Sequence, residues 1–163
     1  MALRRLHNDD WGFETNCFVC EARNEAGLRI PFAHDDDAGL VVAEFELDNR
    51  YSSAPDVVHG GVMLAVLDEA QAWAAIAIAG KFAFTTATSA RFHRAARVGR
   101  RHRVEARVLA QADTEIATAA VVYDDRERLC AESEATFLVL SAATARHVAG
   151  LAEPELFASY LRR

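Results

Sequence analysis

V-H-G-G-V-M-L-A-V-L-D-E-A-Q-A-W-A-A-I-A-I-A-G, from Val58 to Gly80, is the stretch whose reading decides the fold. His59, Gly60 and Gly61 read as a turn, and the residues after them as one long, almost wholly apolar helix that stops at Gly80. Two glycines ahead of a helix let a ligand approach the free N–H groups at its N-terminus, where the helix dipole adds partial positive charge. Asp68 and Glu69 interrupt the apolar run at its middle. An acid on such a helix is costly unless something uses or satisfies it. Successive helix residues lie about 100° apart, so the two acids cannot face one reacting atom. The stretch thus offers an oxyanion-binding turn and a carboxylate base, the two parts an acyl-transfer site needs.

The rest of the chain sets limits. The 163 residues, 52% of them hydrophobic, fit a single domain spanning 1–163 with a sizeable core. A formal charge of −6 speaks against nucleic acid as a partner. Three cysteines, an odd number, speak against a disulfide-stapled secreted module, and M-A-L-R-R-L-H-N-D-D has no apolar signal core. The expected location is cytoplasmic. Val62 to Ala79 is long enough to raise the question of a membrane span, but Asp68, Glu69 and Gln71 sit near its centre. One acid there costs roughly 3 kcal/mol on insertion scales. The expectation is a buried helix of a soluble protein, with no membrane partner.

Strands surround the helix. Gly27–Phe32 reads as a short strand ended by the acidic turn Asp35-Asp36-Asp37. Leu40–Leu47 alternates, with Val41, Ala43, Phe45 and Leu47 on one face. Asn49–Val58 reads as a loop. Four strands follow the helix, over Ala83–His93, His102–Ala110, Glu115–Tyr123 and Arg128–Leu140, joined by short turns as an antiparallel meander. A core of about residues 17–140 is followed by a short helical tail over 142–163, with Pro154 near a helix start. The fold class is α+β: an antiparallel five- to six-stranded sheet wrapped around one long central helix, the hotdog architecture.

Three blocks resemble the hotdog acyl-CoA thioesterases of the phenylacetate-pathway, PaaI-like type. C-F-V-C-E-A-R-N-E-A-G-L-R-I at Cys17–Ile30 is similar to that family's opening C-F-x-C-G-x-x-N-x-x-G-L. H-G-G-x(6)-D places Asp68 nine residues after His59. T-x(6)-F-x-R-x-x-x-V-G runs from Thr85 through Phe92 and Arg94 to Val98 and Gly99. The resemblance implies hydrolysis of an acyl-CoA or aryl-CoA thioester, with Asp68 as base or nucleophile. It implies that the Gly60 N–H polarises the thioester carbonyl and that Thr85 sits beside the attacking water. Some relatives carry a side-chain amide six residues before the histidine; here Ser53 stands there, preceded by Ser52, as a weaker positioning pair. His59 and Gly61 complete the substrate-binding turn. No cofactor or metal is required. The family's habit of building sites across paired sheets implies a homodimer, with a dimer of dimers as the larger alternative.

Each assignment has a competing reading. Asp68 as a structural acid is disfavoured by its apolar neighbours. Glu69 reads as satisfied by a partner across an interface, and His59 as a residue that holds the turn. Cys17 and Cys20 have zinc-like spacing, but Cys130 is the only other cysteine, and completion by His7 or His34 is the disfavoured case. Trp73, Phe84 and Phe92 read as core. Between Arg91 and Arg107 lie seven arginines (91, 94, 97, 100, 101, 103, 107), which read either as a solvated face or as an anchor for CoA phosphates. Arg94 and Arg97, at the end of the strand flanking the site, are the expected anchors. The alternative function is a non-catalytic hotdog protein that binds acyl-CoA or a related ligand; the missing amide favours it. Hotdog hydratases are disfavoured, since no D-x-N-P-x-H occurs. Ala65, Ala72 and Ala75 leave room for an aryl group or a medium chain.

Overall fold

The expected helix is α1, Gly60–Ala77 in the computed structural model, which describes residues 3–11 and 15–149. His59 caps it: its backbone is extended, and its Nδ1 accepts the Gly61 N–H at 2.9 Å. The same ring explains why residue 61 is glycine, since a Cβ there would lie 3.1 Å from His59 Nδ1. The chain leaves the helix through Gly80 at φ +67°, a left-handed turn that stops it as expected.

The helix lies across a seven-stranded antiparallel sheet. Its strands are β1 (Leu3–Arg5), β2 (Ala33–Asp35), β3 (Leu40–Glu46), β6 (Ala83–Phe92), β7 (Arg101–Gln111), β8 (Glu115–Asp124) and β9 (Leu129–Val139). A separate hairpin, β4 (Ser52–Ala54) with β5 (Val57–Val58), lies within the stretch expected to be loop. The sheet order is β1-β2-β3-β7-β8-β9-β6. So β7, β8 and β9 form the meander, while β6 pairs with β9 and ends the sheet. The helix carries the chain from β3 to that far edge, and it packs on β3, β6, β7, β8 and β9.

The alternation read in β3 holds: Val41, Ala43, Phe45 and Leu47 are all buried, against Met63, Val66, Leu67, Ala70, Trp73 and Ala74 of α1. Each large side chain removed from water in this way contributes roughly 1.5–3 kcal/mol. Gln71, also buried on α1, is satisfied by the sheet, its Oε1 accepting from Ser133 Oγ at 2.9 Å.

Three sequence expectations need correction. Among the described residues the sheet has seven strands rather than five or six, because β1 and β2, the two at one end of it, are three residues long and too short to show a periodic pattern. Gly27–Phe32 is not a strand. Arg29 at φ 56° breaks the extended run, and the Leu28 and Ile30 N–H groups bond instead to the Phe18 and Val19 carbonyls. Trp73 is core, but Phe84 and Phe92 are about half exposed, at 49% and 53%, on β6, the end strand of the sheet. The helical tail begins as α2, Ala142–Ala149; the rest of the expected tail, Pro154 included, lies outside the described residues. Among the described residues no helix is long and apolar enough to cross a membrane.

Candidate active site

Asp68 sits half-buried on the face of α1 turned towards β6. Its Oδ1 accepts the Thr85 hydroxyl at 2.8 Å, so two of the residues singled out in the sequence are in direct contact. Glu69 turns elsewhere. The Cys17 thiol reaches its Oε1 at 3.3 Å, so the partner expected across an interface is supplied within the chain by the segment between β1 and β2. Desolvation, then the charge of Cys17, pushes the Glu69 carboxyl up to about 8. The Cys17 thiol is held down to about 5, chiefly by the Cys20 side chain and, against burial, by the Cys20 and Val19 backbone N–H groups. The Cys20 thiol is pushed up by the same contact with Cys17 and by burial.

The glycine turn is two helical turns from Asp68. As the first residue of α1, Gly60 has no intrahelical acceptor for its N–H. The nearest atom to a Cβ built on it is Phe92 Cζ at 4.0 Å, so packing does not demand glycine there. The Gly61 N–H is already bonded to His59 Nδ1, so His59 holds the turn. Gly60, Ser53, Met63, Phe92 and Arg94 wall one cavity of about 290 Å³, and Asp68 and Thr85 are not among its walls. Ser53 is exposed. The Ser52 hydroxyl is directed away, donating to the Asn49 carbonyl at 2.7 Å.

Beyond that cavity lies a basin of about 600 Å³ walled by Arg94, Arg97, Arg100, Arg126 and Arg128 with Asp56, Asp124 and Asp125. Three of the arginines are paired: Arg97 with Asp56 at 2.7 Å, Arg100 with Asp125, and Arg128 with Asp124 at 2.7 Å. Arg94, on the wall shared by both cavities, has no acidic partner among the described residues. The Arg128 guanidinium, with the backbone N–H groups of Arg128 and Arg126, outweighs burial and holds the Asp124 carboxyl down to about 2.

The structure therefore assembles the sequence candidates into two groups, Asp68 with Thr85 and Gly60 with Ser53 and Arg94. Ser52 and Gly61 are engaged elsewhere. Sequence reasoning missed the convergence of Glu69 with Cys17 and Cys20. The C-x-x-C spacing was the available signal, but its third member lies 49 residues beyond Cys20.

The thioesterase superfamily model matches residues 56–131, the stretch holding the glycine turn, Asp68, Thr85 and Arg94. A thioesterase superfamily protein of known crystal structure is 25% identical, with TM-score 0.70 over 85% of this chain and 68% of that one. The Escherichia coli PaaI protein from the phenylacetic acid degradation operon is 18% identical, with TM-score 0.63 over 70% of this chain and 81% of its own. A Streptococcus mutans UA159 protein bound to acetyl CoA is 15% identical, with TM-score 0.61 over 86% of this chain and 90% of its own. No curated protein sequence matches the chain. The helix, the wrapped sheet and the H-G-G-x(6)-D block give the chain a hotdog fold similar to that of thioesterase superfamily proteins, and that family's model matches its residues 56–131.

Proposed function

We propose that this protein is an acyl-CoA thioesterase that hydrolyses an acyl-CoA or aryl-CoA thioester to the free acid and CoA. The observation that carries the assignment of roles is the 2.8 Å contact between Thr85 Oγ1 and Asp68 Oδ1. It leaves Asp68 Oδ2 to take a proton from water while Thr85 fixes the orientation of the carboxylate. Water then adds to the thioester carbonyl carbon, and the Gly60 N–H stabilises the oxyanion. The tetrahedral intermediate collapses with loss of the C–S bond, and Asp68 returns its proton to the departing sulfur. A direct attack by Asp68, giving a mixed anhydride that water later cleaves, uses the same groups.

Eight residues of helix separate Gly60 from Asp68, about 12 Å of rise. One carbonyl cannot touch both within a single chain. This supports a site composed across two chains, Gly60 from one and Asp68 with Thr85 from the other. The open edge of β6 supports the same reading. It is ten residues long, pairs only with β9 and displays Phe84 and Phe92. A homodimer, or a dimer of dimers, is thus the proposed active form, in the cytoplasm. Ser53 lies within the Gly60 cavity to position the substrate carbonyl, and Arg94, with Arg97 beside it, faces the CoA phosphates.

A panel of acyl-CoA and aryl-CoA substrates with detection of the released thiol tests the activity. Turnover of at least one class is expected. Saturable binding of every member with no thiol released would replace the enzyme with the acyl-CoA-binding alternative. Sedimentation of the active protein as a monomer would rule out the composite site.

A further inference from the structure

The segment between β1 and β2 meets α1 in a donor set that the proposed hydrolysis does not use. Cys17 Sγ, Cys20 Sγ and a Glu69 carboxylate oxygen all lie within 4.8 Å of one another. The turn that carries the thiols is built around the first sulfur. The Val19 and Cys20 backbone N–H groups both point at Cys17 Sγ, each at 3.4 Å, an arrangement that favours a thiolate. Asn8 Nδ2 donates to Cys20 Sγ at 3.4 Å, fixing the second sulfur from the short 3-10 turn Asn8–Trp11. Glu69 faces Cys17 Sγ at 3.3 Å, and no basic side chain pairs with it among the described residues. Two sulfurs and a carboxyl group, oriented by backbone and amide donors, converge on one point.

We propose that Cys17, Cys20 and Glu69 bind a thiophilic divalent cation, zinc in particular, which ties the N-terminal segment to the middle of α1. Zinc takes thiolate at about 2.3 Å and carboxylate at about 2.0–2.2 Å, which puts tetrahedral ligand atoms roughly 3.5–3.8 Å apart. The 3.3 Å separation of Cys17 Sγ and Glu69 Oε1 already fits, and the outer limit of 4.8 Å requires a contraction of about 1 Å. A Cys17–Cys20 disulfide fits the cluster less well, because it would take the Cys17 thiol from its contact with the Glu69 carboxyl group. Completion by histidine does not arise: His7 turns to Asp9 at 3.4 Å and His34 to Asp36 at 2.9 Å. Three protein ligands leave the fourth position to water. Glu69 follows Asp68 directly, so the cation would hold the helical turn that bears the proposed base.

The test uses full-length, reduced, metal-free protein titrated with Co²⁺ and then Zn²⁺. Expected are a near-ultraviolet thiolate-to-cobalt absorption that saturates at one ion per chain, its displacement by Zn²⁺, and a thermal midpoint raised by Zn²⁺ and restored by chelator. Cys20→Ser and Glu69→Gln should each weaken Zn²⁺ binding by roughly 100-fold or more, beyond the 10–100-fold that outer-sphere changes cost. Cys130→Ser should bind as wild type does. If Cys20→Ser fails to fold, the wild-type titration still decides. No saturable thiolate absorption, binding unchanged in Cys20→Ser or Glu69→Gln, or a Cys17–Cys20 disulfide that forms as readily with Zn²⁺ present would each overturn the proposal. These readouts are independent of thioester turnover.

Discussion

Gly60→Ala separates packing from chemistry at the glycine turn. A Cβ at this position meets nothing closer than Phe92 Cζ at 4.0 Å, ordinary contact, and Gly60 does not lie in the left-handed region. Alanine at the first turn of α1 should therefore fold normally. It should add about 0.4–1 kcal/mol of stability by restricting the unfolded chain. The same methyl group sits on the Cα next to the Gly60 N–H, and under the proposed mechanism it crowds the approach of the thioester carbonyl to that N–H. Loss of one oxyanion donor costs about 10²–10³ in rate, or roughly 2.7–4 kcal/mol of transition-state stabilisation. The crowded variant should approach that loss in kcat while its thermal midpoint holds or rises. The assay pairs thermal unfolding with thiol release from the best acyl-CoA of the panel. If kcat stays within threefold of wild type, Gly60 is not the donor. A sharp drop in the midpoint would instead mean that packing does demand glycine there.

Arg94→Ala should raise KM for acyl-CoA with kcat nearly unchanged, because phosphate contacts are the same in ground and transition states. Arg97→Ala should act in the same direction but less, since Asp56 already holds that guanidinium. Thioesters lacking the nucleotide should be insensitive to both, and a KM for acyl-CoA unchanged in Arg94→Ala would return the basin to a solvated surface. Thr85→Val removes the hydrogen bond to Asp68, and kcat should fall about 10- to 100-fold, the worth of a bond to a charged group; Thr85→Ser should recover most of it, and equal loss in both would deny the hydroxyl its role. Asp124 sets an acid limb of stability. Its folded value of about 2 lies below the ordinary 3.8, so its contribution is present above pH 3.8 and is lost as pH falls towards about 2. Denaturant unfolding across that window should show a shallower pH dependence in Asp124→Asn, and an identical slope would contradict the pairing with Arg128.

What the sequence made legible was local and periodic. The α1 run and the β3 alternation each state their buried face through spacing alone, and the H-G-G-x(6)-D block places its acid by helix geometry. The resemblance implied a Thr85 hydroxyl beside the attacking water; its hydrogen bond to Asp68, 17 residues earlier in the chain, is a contact that spacing alone did not state. The misses are non-local. Phe84 and Phe92 look like core residues by type, and only the sheet order shows that they lie on an end strand. The expected strand at Gly27–Phe32 has strand-like residues, but the Cys17–Cys20 turn captures its N–H groups. Glu69 was read correctly as facing away from Asp68. Its partner, 52 residues earlier in the chain, could not be read from spacing.

Thioester hydrolysis by Asp68→Asn tests the central claim most directly. Asparagine keeps the shape and can still accept from Thr85 Oγ1, but it cannot take a proton from water or attack the carbonyl. Single-turnover hydrolysis of the preferred acyl-CoA should fall by roughly 10²–10⁴ with substrate binding and the thermal midpoint preserved. A variant that turns over at a rate near wild type would show that the base lies elsewhere.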